Sequence, residues 1–351
     1  MKITFVTATL TSGGSERVIS ILANELANRG HNVSIILLRE PIVFYDINDN
    51  VNIVFANDYC KNLLSKILWL RKHVKANAPD IVIPFMTAIY CITILSLLGT
   101  SIPIISSERI DPRYSSKLRR FLRWLLLRFT SHLVVQTNEI KQFYSKKIQA
   151  KTSIIANPVS EDVFHDYCVK KEKQIINVGR LYDQKNHMLL IDAFCDIANK
   201  YPEYKLTIYG EGPLRNTLTE HIASLGLQDR VFLPGRSEQI IIELQKSEIF
   251  CLSSDYEGMS NALIEAMCVG LPIVTTRVSG VDDMLINGTN AIIVPVKSRQ
   301  KLAEALDKII ASPQIRNTFA RNNKNAANKY RTENIIRSWE QVIMSTINKS
   351  K

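Results

Sequence analysis

Short apolar runs alternate with longer amphipathic segments along almost the whole chain. The runs at residues 3–8, 81–84, 175–179 and 249–252 have the length and apolar content of buried strands. Between them, segments such as residues 187–199 place apolar side chains at helical spacing. Regular alternation of strand and helix is typical of parallel, doubly wound sheets, so the pattern predicts an α/β fold.

The alternation stops near Asn157-Pro158 and then starts again. We therefore expect two domains, residues 1–158 and 159–331, each with its own α/β core. A chain of 351 residues is long enough for both. Ligands of open α/β sheets bind beyond the carboxyl ends of the strands, so two facing domains of this kind predict a site in the cleft between them.

The composition indicates an ordinary globular protein with an uneven charge. Six cysteines without a C-x-x-C pair indicate neither a zinc site nor a disulfide framework, and the first apolar run is too short for a signal peptide. We therefore expect a reducing, cytoplasmic setting. The net charge is +11, and residues 1–158 alone hold 20 Lys and Arg against 10 Asp and Glu. The N-terminal half is predicted to meet an anionic partner.

Two glutamates eight positions apart, Glu257 and Glu265, flank a glycine and a helix start. Ser260 or Asn261 is a suitable N-cap for a buried helix over residues 262–269. The free N–H groups at such a helix start bind phosphate, whereas carboxylates accept hydrogen bonds from hydroxyl groups. Phosphate together with hydroxyl groups describes a nucleotide sugar. Two solvated helix glutamates are the alternative.

This segment resembles the E-x7-E element of the family 4 retaining glycosyltransferases. The resemblance covers nearly the whole chain and is strongest at residues 12–17 and 177–288. It implies the GT-B fold, with two doubly wound Rossmann-like domains facing across a cleft and a nucleotide-sugar-binding C-terminal domain. It also implies that residues 332–351 form a helix that packs back on the N-terminal domain.

In that family the first glutamate contacts the transferred sugar and the second contacts the ribose, which implies these roles for Glu257 and Glu265. The residues implied to bind the donor with them are Gly258, Met259, Ser260 and Asn261.

Arg180 and Lys185 follow a predicted strand and match the family's G-R-x-x-x-x-K segment. Both cations can hold the diphosphate leaving group, so we count them with Glu257 as candidate catalytic residues. A pair of surface cations is the alternative. Because two basic side chains can neutralise a diphosphate and no Asp-x-Asp motif lies in a suitable loop, we expect no metal and no other cofactor.

The loop at residues 11–17 resembles the family's N-terminal glycine loop. Gly13 and Gly14 are predicted to approach the donor, and Ser15 and Glu16 the acceptor. A tight turn between strand and helix is the alternative. The same alternative applies to two candidate nucleoside contacts at later strand ends, Gly210 and Arg236.

Glu108 and Arg109 occupy a loop in which many relatives have a histidine. We expect both to bind the acceptor, with Arg109 on its phosphate. Pairing of Arg109 with Glu108 and Asp111 is the alternative.

Two helices in the basic half predict a membrane-facing surface. In the helix at residues 115–129, an arc of Leu and Phe side chains is predicted to cover the sheet, with a basic arc and Trp124 outward. The helix at residues 61–76 repeats the arrangement around Trp69. A solvated face with one buried Trp is the alternative for each. The residues predicted to contact lipid or its diphosphate are Lys66, Trp69, Lys117, Arg120, Arg123 and Trp124.

The resemblance extends to bacterial enzymes that elongate lipid-linked surface polysaccharides. It implies transfer of a sugar, best guessed as an N-acetylhexosamine, from a UDP-sugar to an undecaprenyl-diphosphate-linked glycan at the inner face of the cytoplasmic membrane. The alternatives are another hexose, a GDP-sugar donor, a nucleotide-sugar epimerase, or a non-catalytic scaffold protein for nucleotide sugar and lipid-linked glycan. No nucleic-acid-binding motif is recognisable, so no nucleic acid partner is expected.

Overall fold

The chain divides into two compact units, residues 1–158 with 332–351, and residues 159–331. We describe them from a computed structural model that covers residues 1–11, 13–56, 60 and 62–350. The first unit has 23 Lys and Arg against 12 Asp and Glu, whereas the second has 21 of each. The net positive charge therefore belongs to the first unit.

The N-terminal unit is built on parallel strands. They are β1 Lys2–Thr7, β2 Asn32–Leu37, β3 Asn52–Phe55, β4 Ile81–Pro84, β5 Ile105–Ser107, β6 His132–Val135 and β7 Thr152–Ile154. The orders are β3-β2-β1-β4 and β5-β6-β7, and parallel bridges Val82–Ile104 and Phe85–Ser107 connect the two groups. Loops after β1 and β4 flank the point at which the strand order reverses.

Helices cover both faces of this sheet. They are α1 Gly14–Asn28, α2 Leu63–Asn77, α3 Thr87–Leu97, α4 Lys117–Leu126, α5 Asn138–Phe143 and α6 Lys146–Gln149, and the chain returns at α14 Thr332–Ser350. Helices α1 and α14 share one apolar core with the sheet, and α2 and α3 share a second. Trp339 of α14 is fully buried and stacks on Phe85, with ring centroids 6.1 Å apart.

The C-terminal unit has one parallel sheet in the order β10-β9-β8-β11-β12-β13. Its strands are β8 Gln174–Val178, β9 Lys205–Tyr209, β10 Val231–Gly235, β11 Ile249–Leu252, β12 Ile273–Thr276 and β13 Ala291–Val294. Its helices are α7 His187–Ala198, α8 Arg215–Ser224, α9 Ile240–Lys246, α10 Asn261–Cys268, α11 Val281–Met284, α12 Arg299–Ala311 and α13 Pro313–Ala327. The strand order reverses between β8 and β11.

The predicted α/β class is confirmed, but the predicted faces of two helices are only partly confirmed. In α4, Trp124 is exposed and Leu126 is buried as predicted, whereas Leu118 and Phe121 of the arc predicted to cover the sheet are 67% and 56% exposed, and Arg123 of the outward arc is 2% exposed. In α2, of the apolar side chains opposite Trp69, Leu70 and Val74 are buried and Leu63 is exposed, while Trp69 itself packs against the core. The predicted first residue of that helix, Lys61, and Ser12 of the glycine loop lie outside the described residues.

The apolar exposure of α2 and α4 does not amount to a bilayer-spanning segment. Within the described part of the chain, no helix combines the length and apolar content needed to cross a membrane.

Candidate functional site

Four loops meet at the carboxyl edge of the C-terminal sheet, after β8, β9, β10 and β11. In an open parallel sheet, the crevice at the strand-order reversal is where ligands bind. Here that crevice lies between β8 and β11, so it is lined by the segment from Gly179 to Asn186 on one side and by residues 253–260 on the other. These two segments contain Arg180, Lys185 and Glu257.

The Glu257 carboxylate is only 6% exposed, and three side-chain donors hold it. Lys185 Nζ lies 2.5 Å from Oε1, and Ser254 Oγ donates to the same oxygen at 2.8 Å. Gln184 Nε2 lies 3.3 Å from Oε2. Glu257, the residue predicted to bind the sugar, and Lys185, one of the two predicted to bind the diphosphate, therefore form an ion pair with each other.

The two segments are further joined by hydrogen bonds along their length. Gln184 Nε2 donates to the Tyr256 carbonyl oxygen at 2.8 Å, and the Asp255 N–H donates to the Gln184 carbonyl oxygen at 2.9 Å. Asn186 Nδ2 donates to Asp255 Oδ1 at 2.8 Å, and Ser253 Oγ to the Lys185 carbonyl oxygen at 2.9 Å. The crevice thus has two walls that are fixed to each other.

Helix α10 begins as predicted at the end of the second wall. Ser260 is its N-cap, and the Ser260 hydroxyl accepts from the Leu263 N–H at 3.4 Å. Met259 and Ser260 are buried, and Glu265, one turn into the helix, is 3% exposed. The helix N-terminus and both glutamates therefore belong to one buried element, and the ribose role of Glu265 stays a prediction.

Glycines allow the neighbouring loops to approach closely. Gly210 has φ +147°, and a Cβ atom there would lie 2.0 Å from the Gly179 carbonyl oxygen. Only glycine fits this contact. Arg180 is exposed and its guanidinium lies over the Tyr182 ring, 5.2 Å from the centroid. Arg236 is also exposed, after β10.

A buried histidine that we did not predict supports the first wall. His187, 1% exposed, shares a hydrogen bond with Asn177 Oδ1 at 3.1 Å, and Asn177 Nδ2 donates to the Cys251 carbonyl oxygen at 2.7 Å. Burial, with a smaller effect of Lys185, lowers the pKa of His187 to about 3. This neutral imidazole ties the start of α7 to Asn177 of β8, and Asn177 in turn ties β8 to β11 at the crevice. Its position two residues after Lys185 was the only sequence signal for it.

In the N-terminal unit, the glycine loop leads directly into α1. Gly13 is the N-cap residue, Gly14 is the first residue of the helix, and Glu16 lies in its first turn. Ser15 Oγ donates to Glu16 Oε2 at 2.6 Å, and a Cβ atom on Gly13 would lie 2.1 Å from the same oxygen. The Glu16 carboxylate thus lies over the loop, where it is complementary to the positive end of the helix dipole.

Glu108 lies inside the N-terminal unit at 1% exposure, paired with Arg123 of α4 at 3.2 Å. Thr87, Tyr90 and Tyr144 donate to its carboxylate at 2.9, 2.8 and 3.2 Å. Such burial favours a structural role for Glu108 over the predicted acceptor contact. The same pair corrects the prediction for Arg123, because a buried carboxylate makes it favourable to bury the guanidinium.

Arg109 is also buried, between aromatic rings. Its guanidinium carbon lies 4.6 Å from the Phe85 centroid and 5.6 Å from that of Trp339. It donates to Ser107 Oγ at 2.8 Å and to Asn157 Oδ1 at 2.9 Å. Burial lowers its pKa to about 9, and the nearby Glu108 partly opposes this. Among the described residues, its hydrogen bonds go to Ser107 and Asn157 rather than to Glu108 or Asp111. The position of Arg109 therefore favours anchoring Asn157 over phosphate binding.

An exposed surface of α4 combines apolar and basic side chains. Trp124 is 69% exposed, and Lys117 and Arg120 are exposed on the same helix. Of the residues predicted for this surface, Lys66 and Trp69 of α2 are partly buried, and Trp69 stacks on His73 at 4.9 Å. The candidate membrane-facing surface is therefore the exposed side of α4, which includes Leu118 and Phe121. Arg123 and Trp69, which were predicted to belong to it, do not.

Comparisons with known proteins match both units. The family model described as "Glycosyltransferase Family 4" matches residues 12–163, and the one described as "Glycosyl transferases group 1" matches residues 162–326. A relative from Campylobacter jejuni, a GalNAc-alpha-(1->4)-GalNAc-alpha-(1->3)-diNAcBac-PP-undecaprenol alpha-1,4-N-acetyl-D-galactosaminyltransferase, is 28% identical over 99% of both chains.

Two further similarities have the same breadth. The N-acetylgalactosamine-N,N'-diacetylbacillosaminyl-diphospho-undecaprenol 4-alpha-N-acetylgalactosaminyltransferase of the same organism is 24% identical over 93% of this chain and 95% of its own. The crystal structure of Anabaena Alr3699/HepE in complex with UDP has a TM-score of 0.82 at 17% identity, covering 98% of this chain and 100% of that one.

Proposed function

The chain belongs to the family 4 glycosyltransferases and has the GT-B fold, and on that premise we propose that it is a retaining, UDP-sugar-dependent hexosyltransferase. Its proposed acceptor is a glycan carried on polyprenyl diphosphate, and its proposed donor sugar is an N-acetylhexosamine. The names of the two Campylobacter jejuni relatives support both choices.

The observation that supports the proposal is the contact between Lys185 and Glu257 across the crevice at the strand-order reversal, with Arg180 exposed in the same loop as Lys185. Cations at this position suit a diphosphate, and a buried carboxylate held by three donors suits the hydroxyl groups of a sugar. The non-catalytic scaffold alternative does not require these residue types together in one crevice.

The proposed reaction proceeds on one face of the sugar. The bond from the anomeric carbon to the diphosphate oxygen breaks, and the acceptor hydroxyl oxygen forms its bond on the same side. The acceptor proton passes to the departing diphosphate. Arg180, Lys185 and the N-terminus of α10 stabilise the charge that develops on the leaving group. Neither step requires a metal ion, so we propose that none is obligatory.

The proposed location is the inner face of the cytoplasmic membrane, at the N-terminal unit. Its excess of 11 positive charges suits an anionic surface. On α4, an exposed tryptophan surrounded by Lys117 and Arg120 suits the boundary between head groups and acyl chains. The proposal predicts that liposomes containing anionic lipid bind the protein and that neutral liposomes do not.

A donor panel tests the proposal directly. UDP-, GDP- and ADP-sugars are incubated with the protein, with and without bacterial lipid-linked saccharides, and nucleotide release is measured. We expect release that requires one UDP-sugar and the lipid acceptor, with an unchanged anomeric configuration in the product. Binding without turnover on any lipid acceptor would favour a soluble acceptor or the scaffold alternative. Failure to bind any nucleotide sugar would refute the donor site.

The division of roles within the site has its own test. Glu257→Gln should lower kcat about 100-fold or more, because it removes the charged acceptor for the sugar hydroxyl. The affinity for UDP should not fall, because the substitution leaves Lys185 free to pair with the diphosphate. Glu304→Gln is the control, since Glu304 is an exposed glutamate on α12 with a lysine partner at 2.8 Å. A loss of UDP affinity in Glu257→Gln as large as the loss of kcat would contradict a sugar-specific role.

A further inference from the structure

Lys185 has two anionic partners in the proposed reaction. In the structure it pairs with Glu257 Oε1 at 2.5 Å. In the proposed function the same ammonium group stabilises the diphosphate. A lysine ammonium is a compact charge on a flexible stem, so it can turn from one anion to the other. When it turns to the diphosphate, Glu257 loses its cation.

Two donors remain on Glu257 after that exchange, one on each oxygen. Ser254 Oγ donates to Oε1 at 2.8 Å, and Gln184 Nε2 lies 3.3 Å from Oε2. We propose that Gln184 and Ser254 are positioning residues, which keep the Glu257 carboxylate in its orientation while Lys185 serves the diphosphate. This inference rests on the proposed function and names the residues that complete its sugar-binding group.

Gln184 is itself well fixed for this task. Its side-chain nitrogen Nε2 also donates to the Tyr256 backbone carbonyl oxygen at 2.8 Å, and the backbone carbonyl oxygen of Gln184 accepts from the Asp255 N–H at 2.9 Å. The two hydrogens of one amide group therefore hold both the backbone and the carboxylate of the opposite wall. Ser254 is fully buried beside it. Neither residue carries charge, so neither competes with Lys185 for the diphosphate.

Substitutions at Gln184 test the inference through charge and volume. Gln184→Ala removes the donor, and we expect kcat to fall about tenfold or more, as for loss of a hydrogen bond to a charged group. Gln184→Glu keeps the side-chain volume but places a like charge beside Glu257 Oε2, so its kcat should fall further than that of Gln184→Ala. A side chain that only fills space would give the opposite order.

Binding measurements separate positioning from general damage. The affinity for UDP should stay within about twofold of the wild-type value in Gln184→Ala and Ser254→Ala, because UDP lacks the sugar. The additional affinity of the UDP-sugar over UDP should decrease in both variants. Gln300→Ala is the matched control, since Gln300 also donates to a glutamate, Glu304, at 2.9 Å on the exposed face of α12. Thermal unfolding checks that every variant folds.

The outcomes distinguish the two proposals. If the wild-type protein turns over and kcat is unchanged in Gln184→Ala and Ser254→Ala, the positioning role is overturned and the proposed function stays intact. A higher kcat in Gln184→Glu than in Gln184→Ala would also overturn the positioning role. Absence of nucleotide-sugar binding by the wild-type protein and by Gln300→Ala would refute the proposed function and this inference with it.

Discussion

Removal of Arg123 should destabilise the N-terminal unit, because its partner would remain as a buried, unpaired charge. Breaking a buried ion pair by removing one partner costs about 3–5 kcal/mol of unfolding free energy. Glu108 would keep the hydroxyl groups of Thr87, Tyr90 and Tyr144 as donors. We therefore expect Arg123→Leu to lower the free energy of unfolding by about 3 kcal/mol, at the lower end of that range.

The assay is urea-induced unfolding followed by tryptophan fluorescence. All three tryptophans, Trp69, Trp124 and Trp339, lie in the N-terminal unit, so the signal reports on that unit alone. Arg120→Leu is the control on the exposed face of α4 and should change the free energy by less than about 0.5 kcal/mol. The double variant Arg123→Leu with Glu108→Gln should recover at least about 1 kcal/mol, since neither member of the ion pair remains charged.

An equal effect of Arg123→Leu and Arg120→Leu would refute this reasoning. A loss of liposome binding in Arg123→Leu without a loss of stability would instead restore the membrane role that the sequence predicted for Arg123.

Three further predictions concern the C-terminal unit. Gly210→Ala should lower the free energy of unfolding by about 2–4 kcal/mol and abolish UDP binding, because the added Cβ atom would meet the Gly179 backbone. Gly226→Ala is the control: Gly226 has φ +67° and nothing within 4 Å of an added Cβ atom, so the loss should be about 1 kcal/mol. Equal losses of the two variants in urea unfolding would contradict this prediction. The pKa of His187 is lowered in the folded state, so its stabilising effect is complete above the unfolded value near 6.5 and is lost as pH falls. The stability gap between wild type and His187→Gln should therefore narrow by about 2 kcal/mol from pH 7 to pH 5, and a constant gap would refute the assignment. Turnover should be unchanged by EDTA, and a loss that Mg²⁺ restores would show that a metal is required.

Local patterns in the sequence predicted the features that depend on local interactions. The cap at Ser260 and the helix after it need only the hydroxyl group and the apolar run beside it. The prediction that Arg123 lies on the exposed face of α4 was wrong because its environment depends on a residue distant in the sequence. Helical periodicity predicts that an arginine on the basic arc is exposed, whereas Arg123 is buried because the carboxylate of Glu108, the residue after β5, accompanies it. The contacts of Gln184 with the Glu257 loop link residues more than 70 positions apart, and no spacing in the sequence indicates them.

The return of α14 to the first unit has a consequence for synthesis on the ribosome. Ile336, Trp339 and Ile343 fill the core beside Phe85, yet they are translated only after the whole of the second unit. Residues 159–331 form one continuous stretch, whereas the first unit is assembled from two separate stretches of the chain. The N-terminal unit, although its synthesis begins first, cannot complete its core until α14 has been translated. The order in which the two cores can be completed is therefore not the order in which the two units begin along the chain.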